Sequence, residues 1–342
     1  MKNKRVTYID IAKGLAILCV IIGHTTQYID IGIINPFVFS FHMPLFFVLS
    51  GWCMKENHRP YKELVRLKAK QLLIPYAAIA TIRFIYVVID YGFTWKRLGR
   101  YILTSLYGNS SDMRASLCMM SVGKIGMQWF LLAMFMAQIL YYCISDFSRK
   151  YNVPMWMIVL VVTITGIHLS NYVWLPFGIQ PAMSAMIFMY AGHLIKKTDL
   201  FETGIKTCSV GLPAISLILW FLTIRYGYIR VNACEYQGVF SIVGAICGTY
   251  WIVQLSRILN NIRFLNSFLM WCGKNSLYIM IFHALDGKAM LFIKAAVGAH
   301  VGFPSTSGGV LVMLMRCMVV VLAAFVYTWI KKAASGKKQK TA

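Results

Sequence analysis

Long apolar runs recur from one end of the chain to the other, and they restrict what it can fold into. A membrane-spanning helix needs about 20 mostly apolar residues. Ten candidate segments meet that need, at 8–29, 36–54, 72–91, 128–146, 154–171, 177–195, 207–225, 237–255, 266–284 and 308–330. Hydrophobic residues make up 59% of the 342 residues, more than one soluble core could bury. The sequence therefore predicts an all-α fold, a polytopic integral membrane bundle of about ten transmembrane helices.

The positions of Lys and Arg predict how this bundle is oriented. Cytoplasmic loops of membrane proteins carry an excess of these residues, and the chain fits that rule best with both termini in the cytoplasm. The net charge of +23 then reflects topology and attraction to anionic lipids, so no nucleic-acid partner is expected. The short apolar stretch at 287–301 is left open as a re-entrant, interfacial or eleventh segment.

We expect a single membrane domain. No internal repeat and no linker rich in Gly, Ser or Pro divides the sequence, so the domain is predicted to cover 1–342, with a core at 6–332 and a basic cytoplasmic tail at 333–342. No small-residue cleavage site follows the first apolar run, so that run is expected to remain as a span. The nine cysteines lack metal-ligand spacing, and no metal is expected.

The first apolar segment contains three ionisable residues, Asp10, Lys13 and His24. Such groups are costly at membrane depth and usually functional. Around the helix axis, the side chains of Lys13 and His24 are about 20° apart, and that of Asp10 is within about 40° of His24. Along the axis, Lys13 and His24 are about 16.5 Å apart. His24 is thus a candidate general base on a polar stripe. The alternative is an Asp10–Lys13 ion pair at the membrane edge, with His24 as a packing residue.

Three further motifs stand out. Residues 41–51 read Phe-His-Met-Pro-Leu-Phe-Phe-Val-Leu-Ser-Gly, where Pro44 is expected to interrupt the helix beside His42. Residues 58–76 form a basic stretch that ends in Leu-Leu-Ile-Pro-Tyr and reads as an interfacial helix entering a span. Late in the chain, Ser276 and His283 lie within about 20° of each other on one helix face.

Together these motifs resemble the membrane-bound acyltransferase 3 family. The pattern Asp-x-x-Lys-Gly-(x)9-His at 10–24, the motif at 41–51 and Gly-x-x-Ser-Leu with a following His at 273–283 carry the resemblance. Members of that family move acyl groups, most often acetyl from acetyl-CoA, onto sugar hydroxyls. Many members have arginine where this chain has Lys13. The resemblance implies an acyl-CoA-dependent O-acetyltransferase in the plasma (inner) membrane of a bacterium.

The resemblance also implies roles for particular residues. The expected catalytic residues are His24, His42 and His283; the expected donor-binding cations are Lys13, Arg66, Lys68 and Lys70; the substrate-site candidates are Asp10, Ser50, Trp129 and Ser276. His24 would act either as a general base or through an acyl-histidine. The cations are equally typical of cytoplasmic loops, which are rich in Lys and Arg, and of segments that bind anionic lipids. Trp129 is equally typical of the aromatic belt at a membrane surface.

The implied partners are acyl-CoA, a carbohydrate or glycolipid acceptor and membrane lipids, and a homo-oligomer is left open. Two other functions fit the same buried charges. The first is a transporter of a small polar solute or a lipid-linked sugar. The second is a binding or structural membrane protein in which His24 only joins helices.

Overall fold

The computed structural model describes residues 6–26, 32–54, 60–110, 122–203, 211–301 and 305–340, which form two compact units. The terminal unit comprises 1–38 and 255–342, and the central unit comprises 39–254. The helices are α1 Thr7–Thr26, α2 Ile34–Phe39, α3 His42–Cys53, α4 Tyr61–Lys68, α5 Ile74–Tyr91, α6 Trp95–Tyr107, α7 Trp129–Tyr151, α8 Met155–Leu169, α9 Ile179–Ser184, α10 Met186–Lys197, α11 Leu200–Thr203, α12 Gly211–Tyr226, α13 Gly238–Leu259, α14 Arg263–Lys274, α15 Ser276–Leu285, α16 Gly287–His300 and α17 Thr306–Lys340. The strands β1 Ile229–Arg230 and β2 Glu235–Tyr236 form one short antiparallel pair.

The described helices confirm an all-α membrane fold. Six stretches are long and apolar enough to span a bilayer, namely Thr7–Thr25, Ile34–Cys53, Tyr61–Tyr91, Trp129–Tyr151, Gly238–Leu259 and Thr306–Ala334. The α15–α16 pair, bent by 69°, would make a seventh span if it crosses as one broken unit. The apolar helices α8 and α12 are shorter. The stretch at 287–301 is accordingly a helix joined to its predecessor by a sharp bend.

Two of the segments predicted as single helices are each divided in two. The segment at 177–195 is interrupted at Ala185, between α9 and α10, where the Ser184 hydroxyl donates to the Pro181 carbonyl at 3.1 Å. The segment at 266–284 is interrupted at Asn275, whose side-chain amide donates to the Trp271 carbonyl at 2.9 Å. Ser and Asn side chains compete in this way with the helical backbone bonds.

The helix carrying the 41–51 motif is interrupted beside His42, as Pro44 predicts. The interruption falls at Ser40 and Phe41, because proline has no N–H to donate to the carbonyl four residues earlier. Pro44 itself lies in the first turn of α3, where it is tolerated. The Trp220 indole N–H donates to the Ser40 hydroxyl at 2.8 Å, and this buried bond stabilises the non-helical backbone at the interruption.

The basic stretch enters a span without a break, as its sequence predicts. From Tyr61 to Tyr91 the chain is helical throughout, and a π-helical turn at Ala69–Leu73 joins α4 to α5. This turn carries Lys70. The first two residues of the predicted stretch, 58 and 59, lie outside the described residues. Single π turns inside helices often mark functional positions.

Glycines allow two helix pairs to pack backbone against backbone. In the terminal unit, a Cβ on Gly14 would lie 2.1 Å from the Leu269 carbonyl oxygen, and one on Gly273 would lie 1.7 Å from the Asp10 carbonyl oxygen. In the central unit, a Cβ on Gly51 of α3 would lie 1.9 Å from the Met189 carbonyl oxygen of α10. Both contacts exclude any side chain, so helix α1, which carries the polar stripe, is seated directly on α14.

Candidate active site

The terminal unit brings His24 of α1 and His283 of α15 together. Their ring centroids are 5.5 Å apart, and the ring planes are inclined by 42°. His24 is half-buried, whereas His283 is completely buried. Two of the three predicted catalytic histidines therefore share one location, although 259 positions separate them along the sequence (283 minus 24). Their catalytic roles remain predictions.

Asp286 lies at the bend between α15 and α16 and organises a buried ionic cluster. Its carboxylate accepts from the Nε of Arg316 at 2.7 Å and from the Nη2 at 2.8 Å, so the pair is bidentate. The same carboxylate is 3.1 Å from the Nδ1 of His283. Bidentate Arg–carboxylate pairs fix orientation as well as charge. The bend thus holds the imidazole of His283 in one position.

Thr25 connects this cluster to helix α1. The Nη1 of Arg316 donates to the Thr25 hydroxyl at 3.2 Å, and that hydroxyl donates to the Ile21 carbonyl at 2.8 Å. Thr25 follows His24 directly, so Arg316 of α17 contacts the same turn of α1 that carries the candidate base. Burial of a charged pair costs desolvation free energy, which is offset only when the remaining donors and acceptors are satisfied. Thr25 and His283 supply two of those additional bonds.

One atom of the cluster has an unused hydrogen-bonding capacity. The Nε2 of His283 is buried and has no hydrogen-bond partner among the described residues. A carboxylate can only accept, so Nδ1 carries the proton that points to Asp286, and we assign the lone pair of the neutral ring to Nε2. This acceptor is aimed away from Asp286, and the ring that carries it lies 5.5 Å, centroid to centroid, from the ring of His24.

The other predicted residues of the terminal unit lie along the same helices. Lys13 is half-buried and forms no ion pair with any described residue, so the alternative of an Asp10–Lys13 pair is not found there. Asp10 is buried. Ser276 begins α15, about 10.5 Å along the axis from His283, and does not reach it.

The remaining predicted residues belong to the central unit. His42 is buried at the start of α3, with its ring edge-on to Phe39 at 5.0 Å. Trp129 is buried at the start of α7, and the Ser50 hydroxyl accepts from the Nε2 of Gln138 at 3.0 Å. On the basic stretch, Arg66 and Lys70 are exposed and Lys68 is half-buried.

Sequence reasoning assigned no role to Arg316 or to Asp286. A signal for Arg316 was present, because it is the one charged residue in the predicted segment at 308–330, and such residues are usually functional. Nothing in the sequence indicates that Asp286 lies at a bend, since that depends on how α15 and α16 pack against α17. No group of three or more His, Cys, Asp or Glu that could hold a metal occurs within the described residues.

The fold and the buried cluster define a helical membrane protein with a paired-histidine site. A family model described as an acyltransferase domain matches residues 6–329. The chain therefore belongs to the acyltransferase 3 family, as the motifs predict. It is also similar to the nodulation protein NolL of Mesorhizobium japonicum, with 30% identity over 166 residues. That alignment covers 46% of this chain and 39% of the relative, so the chain spans well under half of that protein's length.

Family membership bears directly on the alternatives. It favours acyl transfer over the transporter, which neither the comparisons nor the described residues support. A purely structural role for His24 would not explain why His24 lies beside a cluster with an unpaired acceptor atom.

Proposed function

We propose that the protein is an integral-membrane O-acyltransferase. It moves an acyl group, most simply acetyl, from cytoplasmic acyl-CoA to a hydroxyl of an extracytoplasmic or lipid-linked carbohydrate. The observation that carries this proposal is the buried His283–Asp286–Arg316 cluster beside His24, with the Nε2 of His283 unpaired. The match to the family along residues 6–329 supports the reaction class.

In this mechanism His24 is the general base. It is half-buried, so an acceptor hydroxyl can reach it, and histidine is the side chain that most often serves as a general base. As the hydroxyl oxygen attacks the thioester carbonyl, the ring nitrogen of His24 takes the proton, and CoA leaves as a thiolate that is then protonated. Asp286 is already neutralised by Arg316, so it orients His283 rather than acting as a base.

His283 is the positioning residue for His24. The centroid separation of 5.5 Å allows a nitrogen of each ring to approach hydrogen-bond distance, and such bonds often tighten only when substrate is bound. An N–H of His24 would then donate to the Nε2 of His283, leaving the other His24 nitrogen unprotonated towards the acceptor. Orientation of a base by a second group follows the logic of catalytic triads.

The topology completes the proposal. In the proposed topology of ten spans with both termini in the cytoplasm, His24 lies towards the outer side and Lys13 near the inner side of the first span. Lys13 lacks a carboxylate partner among the described residues, which suits it to an anionic group of the donor. The proposed location is a bacterial inner membrane.

The test uses the purified full chain in lipid nanodiscs with radiolabelled acetyl-CoA and envelope glycolipids. We expect CoA release and label transfer, and a loss of at least about 100-fold in His24→Ala. His168→Ala removes an exposed histidine at the end of α8 and is the matched control, expected to keep full activity. Full activity in His24→Ala, or solute flux without CoA turnover, would overturn the proposal. Acid-quench trapping of label on the protein distinguishes an acyl-histidine from direct transfer.

A further inference from the structure

The central unit contains a second buried polar cluster, on α3 and α7, that the proposed chemistry does not use. The Nε2 of Gln138 donates to the Ser50 hydroxyl, but the Oε1 of Gln138 has no partner among the described residues. Tyr141 lies one helical turn further along α7, and its hydroxyl likewise has no hydrogen-bond partner in the described part of the chain. Gln138 is 9% exposed and Tyr141 is 3% exposed.

Two unpaired polar groups on one helix face point to a ligand or to trapped water. Residues three apart on a helix are neighbours, so the Gln138 carbonyl and the Tyr141 hydroxyl present one acceptor and one donor side by side. A buried polar group without a partner destabilises the fold, and such groups are seldom retained unless something pairs with them. Ser50, on α3, is only half-buried, whereas Gln138 and Tyr141 are buried.

The cluster adjoins the basic stretch. Tyr142, the residue after Tyr141, has its ring 5.8 Å from the ring of Tyr61, the first residue of α4. Helix α4 and the following π turn carry the exposed cations Arg66 and Lys70. Both α4 and the π turn pack against α7. A single elongated ligand could therefore place an anionic end on these cations and an uncharged polar segment at Gln138 and Tyr141.

We infer that Ser50, Gln138 and Tyr141 form a binding subsite for the pantetheine arm of the acyl donor. This inference rests on the proposed function, which takes acyl-CoA as donor. The arm carries two secondary amides and a hydroxyl. An amide N–H would donate to the Oε1 of Gln138, and an amide carbonyl would accept from the Tyr141 hydroxyl. The exposed cations of the basic stretch would bind the phosphates at the other end of the same molecule.

The test is equilibrium binding to the full chain in nanodiscs, with two probes. Coenzyme A contains the pantetheine arm, whereas adenosine 3',5'-bisphosphate lacks it. We expect Tyr141→Phe and Gln138→Leu each to raise the dissociation constant for coenzyme A about tenfold, the usual cost of one lost bond. Binding of the bisphosphate should not change, which also shows that each variant is folded. Tyr142→Phe, a hydroxyl deletion one residue away on a different helix face, is the control and should bind both probes normally.

Three results would overturn the inference, and they are distinguishable. If the unmodified protein binds coenzyme A and both variants bind it equally well, water fills the cluster and only this inference fails. If the unmodified protein binds the bisphosphate and coenzyme A with the same affinity, the arm makes no contact. If it binds neither probe, the acyl-CoA donor of the proposed function fails as well.

Discussion

The two units hold their buried polar groups differently, although the Nε2 of His283 in the terminal unit is also unpaired among the described residues. In the terminal unit both carboxylate oxygens of Asp286 are bonded to Arg316, and one is also in contact with His283. In the central unit, by contrast, hydrogen-bonding atoms of Gln128, Gln138 and Tyr141 are buried without partners among the described residues. The paired cluster suits a group that must be held in one position for chemistry. The unpaired groups suit a surface whose partners arrive with a ligand.

Both units contain the same kind of glycine-mediated helix contact. Glycines bring α1 against α14 and α3 against α10, so each unit has a pair of helices in direct backbone contact. These pairs carry the two motifs that first marked the chain, at 10–24 and at 41–51. The units therefore share this helix contact and differ in whether their buried polar groups are joined to a charged partner.

The largest effect is expected when the buried Asp286–Arg316 pair loses its negative charge. Asp286→Asn leaves the buried guanidinium of Arg316 uncompensated, so the free energy of unfolding should fall by about 3–5 kcal/mol. Equilibrium unfolding in mixed micelles measures it. Asp146→Asn is the matched control, because the Asp146–Arg149 pair is more than half exposed and should contribute at most about 1 kcal/mol. Equal effects of the two substitutions would contradict the contrast between the units.

A smaller effect is expected from filling the helix contact of the terminal unit. The added methyl of Gly273→Ala would meet the Asp10 backbone at 1.7 Å, so α1 must move away, at a cost of about 1–3 kcal/mol. The same displacement would shift His24, and acyl transfer should fall with stability. Gly99→Ala on α6 meets nothing within 4 Å and is the control. It should be neutral or stabilising, since alanine favours helix by about 1 kcal/mol.

The smallest changes in the free energy of unfolding are expected from two Thr→Val substitutions, one in each unit, and they should not be alike. Thr25→Val removes one acceptor from Arg316, which keeps both of its bonds to Asp286, so it should destabilise by about 1 kcal/mol. Thr163→Val, the same substitution in the central unit, removes a buried hydroxyl with no partner in the described residues and should be neutral or stabilising. Unfolding of both variants under identical conditions checks the prediction. A loss of stability in Thr163→Val would show that this hydroxyl is bonded to water.

Much of the fold could be predicted, because hydropathy and proline chemistry act locally. The runs around 8–29, 36–54 and 237–255 correspond to candidate spans, and Pro44 indicates where the second run is interrupted. The interruptions at Ala185 and Asn275 could not be read in this way. Each lies within an apolar run, and each depends on side-chain bonds to the backbone that become favourable only in the packed structure.

The candidate site was only partly predictable, for a related reason. Helical spacing could place Lys13 and His24 on one face, but it could not show that His283 lies 5.5 Å from His24, because that distance depends on tertiary packing. Arg316 could have been suspected from its solitary charge. Its partner could not, since Asp286 becomes the centre of the cluster only through the 69° bend between α15 and α16.

The bond between Arg316 and Thr25 has a consequence for biosynthesis. It joins positions 291 residues apart, on the first and the last long helix of the described chain. While α17 is still in the ribosome, Asp286 has no guanidinium to neutralise it, and the turn that carries His24 lacks its tether. Nascent chains that stall before this helix is inserted should therefore carry an unassembled site, which would restrict acyl transfer to finished molecules.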